Sequence, residues 1–246
     1  MRIAILSDIH ANREAFEACL EDAARRGAER LVLLGDIVGY GAEPGWAIAR
    51  AKQLVEAGAI IVKGNHDAAA VSNEGGMTSA AGAAIAWTRA ILRPEEKRFL
   101  DRLPMEIEED DRLYVHANAE HPTLWRYVLD AEDARRSLEA VRSRVILCGH
   151  THTPMLYTLT AAAKLVTHKP VAEIAVPLTR PRRWLAVIGA VGQPRDGNPA
   201  AAYGMFDTAR GDLATIRVAY DVAAAAEKIR AAGLPEVLAT RLFRGQ

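Results

Sequence analysis

The chain is poor in the features that announce a compartment or a charged partner. It holds two cysteines in 246 residues, Cys19 and Cys148. Both stand among apolar neighbours, which reads as two reduced packing residues and argues against a disulfide-built secreted fold. Net charge is missing too, since 31 basic residues balance 31 acidic ones. Without an overall basic field, neither a stable nucleic-acid partner nor an anionic membrane surface is indicated. No apolar run approaches the roughly 18 residues of a membrane-spanning helix. Only four apolar residues, 3–6, separate Arg2 from Ser7 and Asp8, too few for the core of a signal peptide. Repeats, low-complexity tracts and long linkers are absent as well. The expectation is one cytoplasmic domain over residues 1–246.

What is present is a series of short apolar runs that end in polar residues of one kind. Residues 31–39 read LVLLGDIVG. An uninterrupted apolar run closed by glycine is the pattern of a strand buried on both faces. Asp36, directly beyond it, stands where open α/β sheets bind their ligands. Similar strands are expected at 2–7 and 59–62. Between them lie a helix capped by Asn12, with Ala15, Phe16, Cys19, Leu20 and Ala23 at helical spacing, and a second helix at about 45–56. Three strand–helix alternations predict βαβ units and a parallel core.

Residues 72–78 read as a flexible stretch, followed by helices at 79–92 and 94–100. Strands at 105–108 and 112–116, a charged helix at 131–141 and a strand at 144–148 come next. From 155 to 220 five β-rich segments predict an antiparallel or mixed second sheet. Helices near 222–232 and from about 235 close the chain.

The polar residues at the strand ends are Asp8 and His10, Asp36, Asn65 and His66, His116, then His150 and His152. A lone histidine beside a strand is usually a satisfied structural group. Five strand ends each carrying a ligand-type residue are another matter, because burying so many polar groups without partners costs about 1–3 kcal/mol each. A shared set of cations is the simplest partner. The donors mix carboxylate, amide and imidazole with no thiolate, which suits Mn, Fe, Co, Ni or Zn over calcium. The set is too large for one ion and fits two about 3.5–4 Å apart if a carboxylate bridges them. Asp36, central in the sequence of strands, is the expected bridge. Two divalent ions outweigh Asp8, Asp36 and a bridging hydroxide, so the centre should attract an oxyanion, phosphate above all. The ions would also lower the pKa of bound water and supply a nucleophile near neutral pH.

In chain order these motifs are D-x-H at Asp8 and His10, G-D-x-x-G at 35–39, G-N-H-D at 64–67, the lone His116, and G-H-x-H at 149–152. Together they resemble the calcineurin-like metallophosphoesterases, and are most similar to their small bacterial and archaeal YfcE-like and diadenosine-tetraphosphatase-like branch. The likeness runs to about residue 210 and includes Gly39-Tyr40-Gly41 and the Gly192-Gln193-Pro194-Arg195-Asp196-Gly197 segment. It departs at Ala11 and Ala117, where the family usually has glycine, and at Gly189-Ala190-Val191.

The resemblance implies an α/β fold, a four-layer α-β-β-α sandwich of two mixed sheets flanked by helices. It implies two divalent transition-metal ions, one on Asp8, His10, Asp36 and His152, the other on Asp36, Asn65, His116 and His150. It implies that His66 steadies the phosphoryl group and donates a proton to the leaving oxygen, and that Asp67 orients His66, with an acid at a helix N-terminus as the alternative reading of Asp67. Arg195 and Asn65 would meet a substrate phosphate, although for Arg195 a turn residue paired with Asp196 is an equal alternative. Arg13, Tyr40 and Trp125 are weaker candidates for the pocket lining, and His121 and His168 are left outside it.

The expected activity is hydrolysis of a small phosphodiester, phosphomonoester or nucleotide-type substrate, with a homo-oligomer open. The rival expectation is a catalytically silent scaffold of the same fold, which intact ligand positions disfavour.

Overall fold

The computed structural model describes residues 1–72 and 79–246. The stretch expected to be flexible, 72–78, therefore lies outside the described residues except for Ser72. Among the described residues two six-stranded sheets face each other.

The first sheet begins with the predicted βαβ pattern. β1 (Arg2–Leu6), β2 (Arg30–Leu33) and β3 (Ile60–Ile61) are parallel, joined by α1 (Arg13–Arg25) and α2 (Pro44–Glu56). Asn12 caps α1 as its sequence promised, its Oδ1 accepting from the Ala15 amide at 3.1 Å. Pro44 opens α2 at its first position, where a missing N–H costs nothing. A seven-residue helix, α3 (Asn65–Val71), starts inside the G-N-H-D motif, followed by α4 (Ser79–Ile91) and α5 (Pro94–Asp101).

The second sheet holds β4 (Glu106–Glu109), β5 (Arg112–Val115), β6 (Val145–Cys148), β7 (Met155–Leu159), β8 (Leu165–His168) and β10 (Arg183–Val187). Here β5, β6 and β10 run parallel and the flanking pairs antiparallel. α6 (Ala131–Ala140) lies on its outer face. The expected β-rich C-terminal stretch does not stay together. β11 (Ala201–Asp207), β12 (Asp212–Val218) and the two-residue β9 (Val176–Pro177) return to the first sheet, giving the order β3-β2-β1-β11-β12-β9. β1 thus pairs with β2 on one edge and antiparallel with β11 on the other, Ile3 opposite Phe206. α7 (Val222–Ala231) and α8 (Glu236–Arg244) finish the chain, α7 packing on α1.

Alternation along the strands explains the layering. Ile3, Ile5, Val32 and Leu34 point between the sheets against Tyr114, Val145, Leu147 and Trp184. Their neighbours Ala4, Leu6 and Leu33 point outward onto Phe16, Cys19, Ala47 and Ile48 of α1 and α2. Ile146 and Cys148 likewise face Ala134 and Leu138 of α6. A strand apolar on both faces is what a sheet covered on both sides requires. The result is the expected four-layer sandwich, and the carboxyl ends of the parallel strands in both sheets meet at one edge.

Candidate metal centre

The strand ends that close on this edge are bent sharply. Asp8, His10, Asp36, His150 and His152 all have positive φ, between 49° and 67°. Left-handed backbone at non-glycine residues costs on the order of 1–3 kcal/mol each and persists where surrounding structure dictates it. Here the bends turn side chains that would lie along the sheets into a common space. Glycines make room for them. A Cβ on Gly149 would fall 1.8 Å from Ser7 Oγ, and one on Gly39 (φ 92°) 2.3 Å from His66 Nδ1.

The residues form two groups. One oxygen or nitrogen from each of Asp8, His10, Asp36 and His152 lies within 4.8 Å of the others, and Asp36, His116 and His150 meet the same condition. Asn65 joins the second group, its Oδ1 3.0 Å from His116 Nε2. Asp36 belongs to both.

The ring tautomers follow from backbone contacts. His10 Nδ1, His116 Nδ1 and His152 Nδ1 reach the carbonyls of Val38 (3.2 Å), Leu34 (2.7 Å) and Gln193 (2.6 Å), and His150 Nε2 reaches that of Trp125 (2.9 Å). A carbonyl only accepts, so those nitrogens carry hydrogens, and wherever the ring is neutral the opposite nitrogen presents a lone pair. These opposite nitrogens face each other: His10 Nε2 is 3.1 Å from His152 Nε2, and His116 Nε2 is 3.2 Å from His150 Nδ1. Each such pair of nitrogens needs a proton or a cation between them.

The carboxylates tell the same story. Asp8 Oδ2 accepts from the His150 amide at 3.0 Å and Asp36 Oδ1 from the His66 amide at 2.8 Å. Among the described residues their other oxygens, Asp8 Oδ1 and Asp36 Oδ2, are buried and face only imidazole nitrogens, His152 Nε2 standing 3.2 Å from Asp8 Oδ1. Asp36 Oδ2 stands 3.6 Å from His10 Nε2 and 3.4 Å from His116 Nε2, between the two groups. The donor set therefore fits a pair of divalent cations.

Burial works against ionising Asp8 and Asp36, but the surrounding imidazoles more than reverse it and hold both carboxyls below their usual range. Burial pushes His10 well down and His150 to about 3, so both are neutral ligand-type rings. His116 is the exception. Burial lowers it, yet the Asp36 and Asp8 carboxylates lift it to about 9. In the metal-free chain a proton on His116 supplies part of the positive charge the carboxylates call for.

His66 lies at the rim of this space, 4.8 Å from His10 and 4.4 Å from Tyr40 between ring centroids. Burial pushes it to about 4, and among the described residues its Nδ1 has no hydrogen-bond partner. The expected direct orientation of His66 by Asp67 is not formed. Asp67 Oδ1 accepts from the amides of Ile37 (2.9 Å) and Val38 (3.2 Å), and Oδ2 from Gly64 (3.0 Å), so both oxygens are committed to backbone. Asp67 instead ties the loop after β2 to the start of α3. Burial, then the Asp36 charge, raises it to about 7.

Arg195 reaches the same rim. Its Nη2 donates to Tyr40 Oη at 3.2 Å and to Gln193 Oε1 at 3.0 Å. It does not pair with Asp196, which binds Arg217. Trp125 is adjacent through its carbonyl and through its ring, edge-on to His116 at 5.9 Å. Arg13 is elsewhere, over Trp46 and beside Glu17 on α1. His121 is exposed, and His168 stacks near Trp184.

Comparison with known proteins agrees with this geometry. The profile of the calcineurin-like phosphoesterase superfamily domain matches residues 1–211. The chain belongs to the calcineurin-like phosphoesterase superfamily. An uncharacterised protein of Methanocaldococcus jannaschii is 36% identical over 252 residues, covering 99% of this chain and 98% of that one. The crystal structure of a metallophosphoesterase from Sphaerobacter thermophilus is also 36% identical, with a TM-score of 0.90 over 100% of this chain and 99% of that one. A hypothetical protein of Pyrococcus horikoshii, 19% identical, shares the fold with a TM-score of 0.81 over 100% and 98%.

Where this calcineurin-like chain departs from the family glycine after D-x-H, Ala11 accepts the left-handed backbone, with φ 51°. The carbonyls of Leu34, Val38, Trp125 and Gln193 fix the imidazoles, and no side-chain pattern announces them. Far from the centre, at the start of β5 and β6, a cavity of about 740 Å³ is lined by Arg112, Arg144, Arg180 and Arg210. Each of these arginines faces a carboxylate of the chain.

Proposed function

We infer that this chain is a dinuclear-metal-dependent phosphoesterase that hydrolyses a phosphodiester, phosphomonoester or nucleotide-type ester. What supports this most is the bare Asp36 Oδ2, buried between two sets of lone-pair donors. Asp8, His10, Asp36 and His152 would hold one ion, and Asp36, Asn65, His116 and His150 the other. Ions of the Mn, Fe, Co, Ni or Zn type supply charge neutralisation at a phosphoryl group and a water nucleophile near neutral pH.

The chain's own residues do the rest. Positive φ at five ligand residues and the four carbonyl contacts pre-set the donors, so little reorganisation accompanies binding. His66, kept neutral by burial, would present an N–H to the phosphoryl oxygens. A bound anion raises its proton affinity and prepares it to protonate the leaving oxygen. Arg195, held by Gln193 and Tyr40, offers its guanidinium to a substrate phosphate.

The test is turnover of a chromogenic bis-ester and mono-ester after chelation and re-addition of Mn²⁺. Hydrolysis restored by metal is the expected result. Absence of turnover across several metals, with two ions bound, would leave a metal-binding scaffold instead.

A further inference from the structure

Beside the centre runs the segment 119–130, closed by a hydrogen bond from the Asn118 amide to the Arg126 carbonyl at 3.1 Å. It grips His150 twice. The Trp125 carbonyl takes the Nε2 hydrogen at 2.9 Å, and the Tyr127 ring lies flat on the imidazole, centroids 4.0 Å apart and planes 13° from parallel. Yet Tyr127 is 44% exposed, with Leu124 and Leu129 exposed beside it. With one face covered by His150, the open area of the ring is its other face and edge. The Arg195 guanidinium lies 5.5 Å from the centroid of the Tyr40 ring, and that ring in turn stands 4.5 Å from the His10 ring. The surroundings of the ligand residues thus include both a guanidinium and a flat aromatic face.

Orienting His150 needs only the Trp125 carbonyl. A phenol ring left half in solvent beside the ligands has a second use. An aromatic face prefers another aromatic group in offset or edge-on contact over an aliphatic group of equal size. We propose that Tyr127 determines specificity by stacking a planar aromatic group borne on the ester oxygen of the substrate, so that aryl or nucleobase-bearing phosphoesters are taken over aliphatic ones. The proposal rests on the phosphoesterase reading and adds the class of leaving group.

The experiment uses phosphonates, whose C–P bond is not hydrolysed, titrated calorimetrically into the manganese-loaded full chain. Benzylphosphonate presents a flat ring, cyclohexylmethylphosphonate a puckered one of similar bulk, and methylphosphonate none. Benzylphosphonate should bind roughly 3- to 10-fold tighter than the cyclohexyl compound. Tyr127→Phe should keep that ratio. Tyr127→Leu should bring it to about one, with methylphosphonate affinity and manganese content unchanged. Should the leucine variant lose manganese, Tyr127→Trp replaces it, and its larger face should widen the ratio. A ratio of one in the parent chain, a ratio that survives Tyr127→Leu, or one unmoved by Tyr127→Trp overturns the proposal while methylphosphonate still binds. If no phosphonate binds, the phosphoesterase reading itself fails and takes the proposal with it.

Discussion

Asp36 concentrates the chemistry of this chain in one side chain. Its Oδ1 is anchored by the His66 amide and its Oδ2 is bare between two donor groups. Asp36→Asn puts an amide where a shared anionic oxygen is needed. Metal content measured by mass spectrometry of the digested protein should fall from two ions per chain toward one or none. An undiminished pair would mean the ions do not share this residue. His66 makes no such contact, so His66→Ala should keep both ions and lower kcat by roughly 10²–10⁴-fold, the usual span of general acid–base assistance. Turnover near that of the parent would remove His66 from the reaction. These positions were legible in the sequence because each sits immediately past a short apolar run. Tyr127 was not, since an aromatic residue in a polar segment has no periodicity to mark it, and its stacking on His150 depends on a neighbour 23 positions away.

The elements divide the same way. α1 could be read from Asn12 and the spacing of its apolar face, and its cap is where the sequence put it. α3 could not, because Asn65 to Val71 contains Ala68-Ala69-Ala70 and little alternation, and its start is hidden in a ligand motif. The two-residue β9 is below any pattern. Asp67 belongs to this scale, for its carboxylate joins two elements. Asp67→Ala would leave the buried amides of Ile37, Val38 and Gly64 without their acceptor. A loss of about 2–5 kcal/mol is expected from chemical denaturation of the metal-free chain. Asp67→Asn keeps one acceptor oxygen and should cost less.

On the scale of the molecule, the centre draws its donors from both sheets: Asp8, His10, Asp36 and Asn65 from one, His116, His150 and His152 from the other. Ions held there would cross-link the sandwich. At a hundredfold excess over Kd a ligand adds about 2.7 kcal/mol, which corresponds to a rise in Tm of roughly 5–10 °C for a chain of this size. Chelation should reverse it in a thermal melt, and an unchanged Tm would contradict the cross-link.

Binding should also depend on pH through His116. Its proton affinity is raised from 6.5 to about 9 without metal. In that state its ion pair stabilises the fold fully below about 6.5 and is lost as pH rises through about 9. A metal must displace that proton, so affinity should climb with pH up to about 9. Calorimetry in buffers of different ionisation enthalpy should detect about one proton released per chain at pH 7 and fewer above 9.

The division of the strands between the sheets was the least legible feature. β1 pairs with β11, some 200 positions away, and short apolar runs carry no label for such a distant partner. That pairing sets an order on biosynthesis. When the first half of the chain has left the ribosome, β1 still has a bare edge, and His150, His152 and the Gln193 carbonyl have yet to be made. The exposed edge must wait, shielded or kept from neighbours, until residues 201–207 arrive to cover it. Ions held as inferred would therefore be taken up late in the life of each polypeptide, once the Gln193 carbonyl and residues 201–207 are in place.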